Sequence, residues 1–196
     1  MREREILKAA YRAVSWDKFC ELAPGVSREQ VDALFECLGE MLPGAPPAPE
    51  GERIASGSVR RVLLRCDGAS RGNPGPAGIG VLLCAPDGKE LEAWGAAIGR
   101  ATSNVAEYSA LLAGLTRALE VGIKEVEVLS DSELLVKQLT GAYRVKAPGL
   151  KELHARVQEL LGRFDSWTAR HVSREDNRRA DKLASDAVRK QSPPRQ

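Results

Sequence analysis

The amino-acid sequence predicts an α/β domain, built on a five-stranded mixed sheet flanked by helices, that follows a small all-helical module. Two observations predict this organisation. A stretch rich in Pro, Gly, Ala and Ser at 43–58 divides the chain, and the apolar residues before it recur at helical spacing. After it, apolar runs and helical patterns follow in the order β-β-β-α-β-α-α-β-α, which favours a sheet that begins antiparallel and continues through right-handed parallel crossovers. The 196 residues, 43% of them hydrophobic, suffice for such a core.

Residues 1–42 are predicted to form three short helices whose joint role is unknown. The third begins at Ser27, which can form a capping box with Gln30. The LAPGVSREQVDALF segment is weakly similar to a helix-turn-helix, but four acidic residues against one Arg on the supposed recognition helix would repel DNA. A protein-contact or self-association role is therefore favoured. Residues 43–58 are predicted to be a flexible linker.

The α/β domain is predicted at 59–190. Its strands are expected over 61–66, 77–85, 90–98, 125–131 and 167–172, and the second and third form a hairpin through the turn Pro86-Asp87-Gly88-Lys89. Helices are expected over 103–121, in a short segment after Ser132, over 150–164 and over 177–189. Residues 191–196 are predicted to be a disordered tail.

Charge and cysteine patterns indicate partners and location. Residues 1–50 carry 9 acidic and 6 basic side chains, whereas residues 143–196 carry 13 basic and 7 acidic ones. The basic C-terminal part favours a polyanionic partner. No apolar run reaches the ~18 residues of a membrane span, and no secretory signal is visible, so the cytoplasm is the expected location and no membrane partner is expected. The four scattered cysteines, without a C-x-x-C pair, are predicted to be reduced core thiols.

Four carboxylates fall where a core should exclude them. Asp67 directly follows the first predicted strand and Asp131 directly follows the core of the fourth, and ligands of open α/β sheets bind at such carboxyl ends. Glu107 and Asp181 lie on the apolar faces of their predicted helices. Taken singly, the two strand-end acids could be turn or cap residues, and the two helical acids could have a Lys or Arg partner.

Together, the four acids predict a cation site. Clustered anions require cations, and hard oxygen ligands without a Cys or His cluster select Mg²⁺ or Mn²⁺ over zinc. Such ions also bind phosphate oxygens, which indicates phosphoryl chemistry. The segment GASRGNPGPAG at 68–78, expected to connect the first two strands, has small residues that allow close backbone approach but lacks the P-loop pattern.

Four motifs resemble those of the type 1 ribonucleases H, over residues 61 to about 189. They are DGASRGNPGPAGIG with Asp67, TSNVAE with Glu107, SDSELL with Asp131 and RHVSREDNRRADKLA with Asp181. The resemblance implies a five-stranded mixed sheet flanked by helices and two divalent ions, Mg²⁺ or Mn²⁺, held by these four acids. It further implies hydrolysis of the RNA strand of RNA/DNA hybrids, which leaves 5′-phosphate and 3′-hydroxyl ends.

The resemblance also assigns residues around the acids. His171 matches a loop histidine that assists proton transfer or product release; without the resemblance it would be a surface or packed histidine. Asn73 and Asn104 match positions near the minor groove of the hybrid. Thr102, in the same run as Ser103, matches a position near a phosphate of the DNA strand.

The sequence departs from the family pattern at three places. Glu133 stands where many relatives have a Gln that contacts nucleic acid, and Ser103 stands where Asn is common. The segment between Asp131 and residue 150 is too short for the Trp- and Lys-rich handle of some members, so affinity is expected to rest on residues 143–146 and 170–182, which include Tyr143, Arg144 and Lys146. This short form resembles a subgroup for which cleavage of double-stranded RNA has been proposed, which makes that RNA a second candidate substrate.

Two classes of function follow from the sequence. The first is a metal-dependent endonuclease that removes RNA from RNA/DNA hybrids. The alternative is a catalytically weak nucleic-acid-binding protein on the same fold. Cleavage in Mg²⁺ or Mn²⁺, compared with EDTA, distinguishes them.

Overall fold

The computed structural model describes Ile54 and residues 59–191. The predicted module at 1–42, the predicted linker apart from Ile54, and residues 192–196 lie outside this description. The elements follow the predicted order. They are β1 (Arg61–Ser70), β2 (Gly75–Cys84), β3 (Glu90–Ala101), α1 (Ser103–Glu120), β4 (Glu125–Ser130), α2 (Glu133–Leu139), α3 (Pro148–Leu161), β5 (Ser166–His171) and α4 (Arg178–Gln191).

The five strands form one mixed sheet in the order β3-β2-β1-β4-β5. β1, β2 and β3 pair antiparallel, whereas β4 pairs in parallel with both β1 and β5. Successive residues of β2 point to opposite faces. Leu83 joins the main core with Leu111 and Leu115 of α1, and Leu82 joins a smaller cluster with Ala180 of α4. The predicted fold class, a mixed sheet flanked by helices, is confirmed.

The first hairpin is longer than predicted. Pairing of β1 with β2 continues to Ser70 opposite Ala77, so only residues 71–74 form the turn, and most of the predicted connection at 68–78 is strand. Asp67 therefore lies inside β1, not after it. The glycines made this segment resemble a loop, but Gly68 and Gly78 are required by helices that approach the sheet closely.

The other boundaries differ from the predictions by a few residues. β3 continues to Ala101, because Ala101 pairs with Gly75. α3 starts at Pro148, a residue favoured in the first helical turn, and ends at Leu161 before its C-cap, Gly162. α4 ends at Gln191, which the sequence assigned to the tail.

Ile54 is anchored to the domain although it belongs to the predicted flexible linker. Its side chain is buried in the main core, and its N–H donates to Oε1 of Glu92 over 3.1 Å. Glu92 is only 6% exposed and forms a bidentate pair with Arg117, with both N···O distances 2.8 Å. The two charge-assisted hydrogen bonds offset the desolvation of the carboxylate. Ile54 thus contacts the domain, although the sequence placed it in the linker.

Two further predictions concern cysteines and membranes. Cys66 and Cys84 are buried free thiols, as predicted, and Cys20 and Cys37 lie outside the described residues. None of the helices between residues 59 and 191 combines the length and the hydropathy that a bilayer span needs.

Candidate active site

Asp67 and Asp131 lie at the carboxyl edge of the two central strands. The parallel pairing of β1 and β4 ends where Arg65 faces Leu129, and each aspartate comes two residues later in the chain. Because side chains alternate with a period of two, the same step on both strands brings the two acids level with each other. Both therefore lie just beyond the end of the parallel β1–β4 pairing, although β1 itself continues to Ser70.

Gly68 allows the start of α1 to contact β1. A Cβ atom at Gly68 would lie 2.1 Å from the backbone nitrogen of Glu107 and 2.2 Å from the carbonyl carbon of Ala106. Neither distance can accommodate a side chain, so glycine is required by the close approach. The contact sets Glu107 beside Asp67.

α4 packs on β2 in a similar way. Gly80 is paired with Asp67 in the β1–β2 ladder, and a Cβ atom there would lie 2.0 Å from the carbonyl oxygen of Ala180. Ala180 is fully buried, and the next residue, Asp181, lies in the first turn of α4. The close packing thus brings the fourth acid to the same edge of the sheet.

Burial and neighbouring carboxylates raise the pKa values of Asp67 and Glu107. Burial raises the pKa of Asp67 to about 6, together with repulsion from Asp131, Asp181 and Glu107, against a hydrogen bond from the Gly68 backbone. Burial also raises the pKa of Glu107, against a hydrogen bond from Ser132 that lowers it. Such a cluster of buried negative charge favours a bound cation.

The chemistry of the donors fits a hard divalent cation. Burial, with repulsion from the neighbouring carboxylates, raises the pKa of the Cys66 thiol, which therefore stays protonated and is unsuited to bind metal. Among Ile54 and residues 59–191, no three or more His, Cys, Asp or Glu side chains are placed so that they could hold a metal ion by themselves. Carboxylates that leave coordination positions open suit Mg²⁺ or Mn²⁺, which keep water ligands and take others from phosphates.

His171, the last residue of β5, lies beside these acids. It is exposed, and its Nε2 lies 3.2 Å from the carbonyl oxygen of Asp131. A carbonyl oxygen only accepts, so Nε2 carries the proton and Nδ1 is the basic nitrogen of the neutral ring. The structure therefore places the His171 ring against the backbone of Asp131.

The residues predicted to contact nucleic acid surround the same edge. Asn73 is exposed in the turn between β1 and β2, and this turn is joined to the start of α1 because the Ser70 hydroxyl donates to the carbonyl oxygen of Ala101 over 2.7 Å. Thr102 caps α1, since its Oγ1 accepts from the N–H of Val105 over 3.3 Å. The first two helical residues follow it, Ser103 half-buried and Asn104 exposed.

Glu133 is exposed at the start of α2, two residues after Asp131. Its carboxylate pairs with Lys137 at 2.8 Å, and the hydrogen bond from Lys137 lowers the pKa of Glu133. Lys137 also lies over the ring of Tyr143, 4.9 Å from its centroid. The departure at Glu133 is therefore accompanied by a counter-ion on the same helix.

The sequence analysis missed two contacts to the acids. Arg174, which it assigned only to a basic segment, has Nη2 3.2 Å from Oδ1 of Asp181. Asn177, which it assigned only to the start of the last helix, donates from Nδ2 to Oδ1 of Asp131 over 2.7 Å. An Arg or Asn near a helix start is common, so the local pattern carries no signal of either contact.

Comparisons with known proteins decide the family. Residues 65–187 match the family model described as reverse transcriptase-like. A ribonuclease H from Solibacter usitatus is 36% identical to the chain over 148 residues, which are 68% of this chain and 99% of that protein. The chain belongs to the ribonuclease H family. The resemblance found in the sequence is thereby confirmed, and the family consists of nucleases, which are hydrolases.

Two other ribonucleases H are also similar to this chain in sequence and structure. Ribonuclease HI from Halobacterium salinarum is 48% identical over 128 residues, 65% of this chain and 64% of that protein, so the chain spans less than two thirds of its length. The crystal structure of RNase H1 from that organism matches this chain with a TM-score of 0.65. The match covers 66% of this chain and 98% of that one. LC11-RNase H1, whose crystal structure is a complex with an RNA/DNA hybrid, is 42% identical, with a TM-score of 0.63 and coverage of 66% of this chain and 97% of that one.

The matched range contains every candidate site residue of the ribonuclease H domain. The four acids, His171 and the residues predicted to contact nucleic acid all fall within 65–187. Residues 1–64 lie outside it. Any activity derived from the site therefore concerns the α/β domain.

Proposed function

We propose that this ribonuclease H domain is a metal-dependent endonuclease that hydrolyses the RNA strand of RNA/DNA hybrids and leaves 5′-phosphate and 3′-hydroxyl ends. The observation that carries the proposal is the meeting of Asp67, Glu107, Asp131 and Asp181 at one sheet edge, where burial and repulsion raise the pKa of Asp67 to about 6. LC11-RNase H1 is a relative of this chain, and its complex with an RNA/DNA hybrid supports the proposal that this chain also acts on such hybrids.

The four carboxylates are proposed to hold two divalent ions, Mg²⁺ or Mn²⁺. Such ions, when bound, supply an activated water and stabilise the leaving oxygen of a phosphodiester. The contribution of the chain is to hold the acids close together against their repulsion. Gly68 and Gly80 do so by allowing α1 and α4 to contact the sheet directly beside Asp67.

His171 is proposed to transfer a proton near the scissile phosphate. Its Nε2–H is anchored on the carbonyl oxygen of Asp131, which orients the ring and leaves Nδ1 as the basic nitrogen. Because the side chain is exposed, it can exchange that proton with solvent.

The start of α1 and the β1–β2 turn are proposed to bind the hybrid. The side-chain amides of Asn73 and Asn104 are exposed and can bind base edges and 2′-hydroxyls in the minor groove. The Thr102 oxygen already accepts from the helix, so its hydroxyl proton can be donated to a phosphate of the DNA strand. Ser103, half-buried between them, offers a backbone amide in the first turn, where phosphate binding is favourable.

The segment after α2 is proposed to supply affinity in place of a long basic handle. Tyr143 is 52% exposed, and Arg144 and Lys146 beside it are exposed cations. Lys137 balances Glu133, which reduces the repulsion between this carboxylate and a nucleic-acid backbone. Because the segment is short, double-stranded RNA is a second candidate substrate.

Residues 1–42 are proposed, from their acidic sequence, to contact a protein or a second copy of the chain.

Cleavage of an end-labelled RNA/DNA hybrid tests the proposal. The full chain should cleave the RNA strand in Mg²⁺ or Mn²⁺ and not in EDTA, and the products should carry 5′-phosphate and 3′-hydroxyl ends. Matched double-stranded RNA and double-stranded DNA define the substrate class. Cleavage in EDTA would contradict the metal dependence, and hybrid binding without cleavage in either metal would favour the alternative of a binding protein.

A further inference from the structure

We propose that Asn177 is a positioning residue whose side chain holds the Asp131 carboxylate in place relative to the β1 backbone beside Asp67. The inference rests on the proposed nuclease function, and it concerns a residue that touches the acids and not the substrate. It is drawn from the contacts of one buried side chain, which join the end of β4 to β1.

The contacts of Asn177 extend to β1, the end of β4 and α4. Its Nδ2 donates to Oδ1 of Asp131 over 2.7 Å and to the carbonyl oxygen of Cys66 over 3.0 Å. Cys66 immediately precedes Asp67 in β1. The backbone oxygen of Asn177 accepts from the N–H of Asp181 over 3.1 Å. The side chain thus fixes the Asp131 carboxylate directly and the backbone that carries Asp67, whereas the bond to Asp181 belongs to the backbone of α4.

The orientation of the Asn177 amide is determined by its partners. Nδ2 faces two oxygens that can only accept hydrogen bonds, and it donates one of its two protons to each of them. Rotation of the amide by half a turn would place Oδ1 against these oxygens. The donated hydrogen bond therefore restricts rotation of the Asp131 carboxylate.

Helix capping does not account for Asn177. A capping asparagine uses its side-chain oxygen to accept from amides of the first helical turn. The Oδ1 of Asn177 is buried and has no hydrogen-bond partner among the residues that the structure describes. The side chain is fully buried as well, and a buried oxygen without a partner disfavours folding. The Nδ2 donor of Asn177 is therefore used at this position, whereas its unpaired Oδ1 lowers the stability of the fold.

The test compares Asn177→Ala with a control in the same loop. Ser173 carries none of the basic side chains on which the expected affinity of segment 170–182 rests. Ser173→Ala removes two hydrogen bonds to Asp176, one donated to its carboxylate over 2.8 Å and one accepted from its N–H over 3.2 Å, and leaves the bond between Asn177 and Asp131 in place. Two properties are measured on the folded full chain, well below its unfolding temperature: Mn²⁺ affinity by calorimetry, and kcat and KM for hybrid cleavage. Loss of a residue that orients a metal ligand commonly reduces affinity or activity about 10- to 100-fold.

We expect Asn177→Ala to lower Mn²⁺ affinity about tenfold and kcat about 10- to 100-fold, with KM changed less than about twofold. Ser173→Ala should change none of these by more than about twofold. Asn177→Asp, which has the same size but places a carboxylate oxygen against Asp131, should reduce kcat at least as much as the alanine variant. Should Asn177→Ala fail to fold, Asn177→Ser provides the same comparison.

Unchanged Mn²⁺ affinity and kcat in Asn177→Ala would overturn the inference, even if the variant unfolds at a lower temperature, because that pattern shows a purely structural role. An equal loss in Ser173→Ala would also overturn it, since general loosening of the loop would then explain the effect. If the wild-type chain binds Mn²⁺ but does not cleave, the proposed function fails, and calorimetry still decides whether Asn177 positions the acids.

Discussion

Replacement of Asp67 by Asn should stabilise the metal-free protein at neutral pH. Burial and the neighbouring carboxylates raise the pKa of Asp67 from 3.8 to about 6 in the folded chain. The folded chain therefore binds a proton at this group more tightly than the unfolded chain does. As the pH rises from about 4 to above about 6, the carboxyl group loses that proton and the free energy of unfolding falls. The amide of Asn carries no charge, and its oxygen can still accept the hydrogen bond from the Gly68 backbone.

The size of this effect follows from the two pKa values. The difference between 3.8 and about 6 corresponds to about 3 kcal/mol above pH 7. Partial exposure of the side chain and screening by salt reduce it, so the expected gain in unfolding free energy is about 1–3 kcal/mol. The gain should be absent below about pH 4, where the carboxyl group is protonated in both the folded and the unfolded chain.

Urea unfolding in EDTA, followed at several pH values, measures this gain. Asp87→Asn removes the same charge from the exposed β2–β3 turn and serves as the control, with an expected change within about 0.5 kcal/mol. Added Mg²⁺ should stabilise the wild type more than Asp67→Asn, because only the wild type keeps all four proposed ligands. A variant that is no more stable than the wild type at about pH 8 in EDTA, or a gain that does not depend on pH, would refute the reasoning.

Two further substitutions separate catalysis from stability. His171→Ala should lower kcat roughly 10- to 100-fold with little change in hybrid affinity, since it removes a proposed proton-transfer group. Steady-state kinetics measure kcat, and equilibrium binding measures the affinity. An unchanged kcat would show that His171 is a surface residue without a part in catalysis. Arg117→Ala should lower the free energy of unfolding by about 2–4 kcal/mol, because it removes two charge-assisted hydrogen bonds to the buried Glu92 carboxylate. Denaturant unfolding measures this loss, and cleavage per folded molecule should stay the same; a loss below about 0.5 kcal/mol would contradict the importance of the pair.

The order of strands and helices was predictable because local patterns encode it. Apolar periodicity distinguishes the strands from the helices, and Pro86 to Lys89 provides the turn of the second hairpin, where Gly88 has a positive φ of 90°. The full length of β1 was not predictable. Two of the glycines that made 68–78 resemble a loop, Gly68 and Gly78, are needed because α1 and α4 approach the sheet there, and those contacts join residues far apart in the chain.

The acids of the candidate site were predictable because a carboxylate on an apolar face conflicts with burial and requires an explanation. Their supporting contacts were not. The hydrogen bond from Asn177 to Asp131 spans 46 positions, and that from Ile54 to Glu92 spans 38. Neither pair belongs to a local pattern, since each depends on how β1, β4 and the surrounding elements pack.

The four carboxylates are proposed to form the metal site for hydrolysis of the hybrid. A Mg²⁺ titration of hybrid cleavage by the wild type, Asp131→Asn and Asp87→Asn tests this role. An amide is a poor Mg²⁺ ligand, so Asp131→Asn should bind the hybrid but show no cleavage at any Mg²⁺ concentration, whereas Asp87→Asn should follow the wild-type curve. Near-normal turnover of folded Asp131→Asn in Mg²⁺ would contradict the claim.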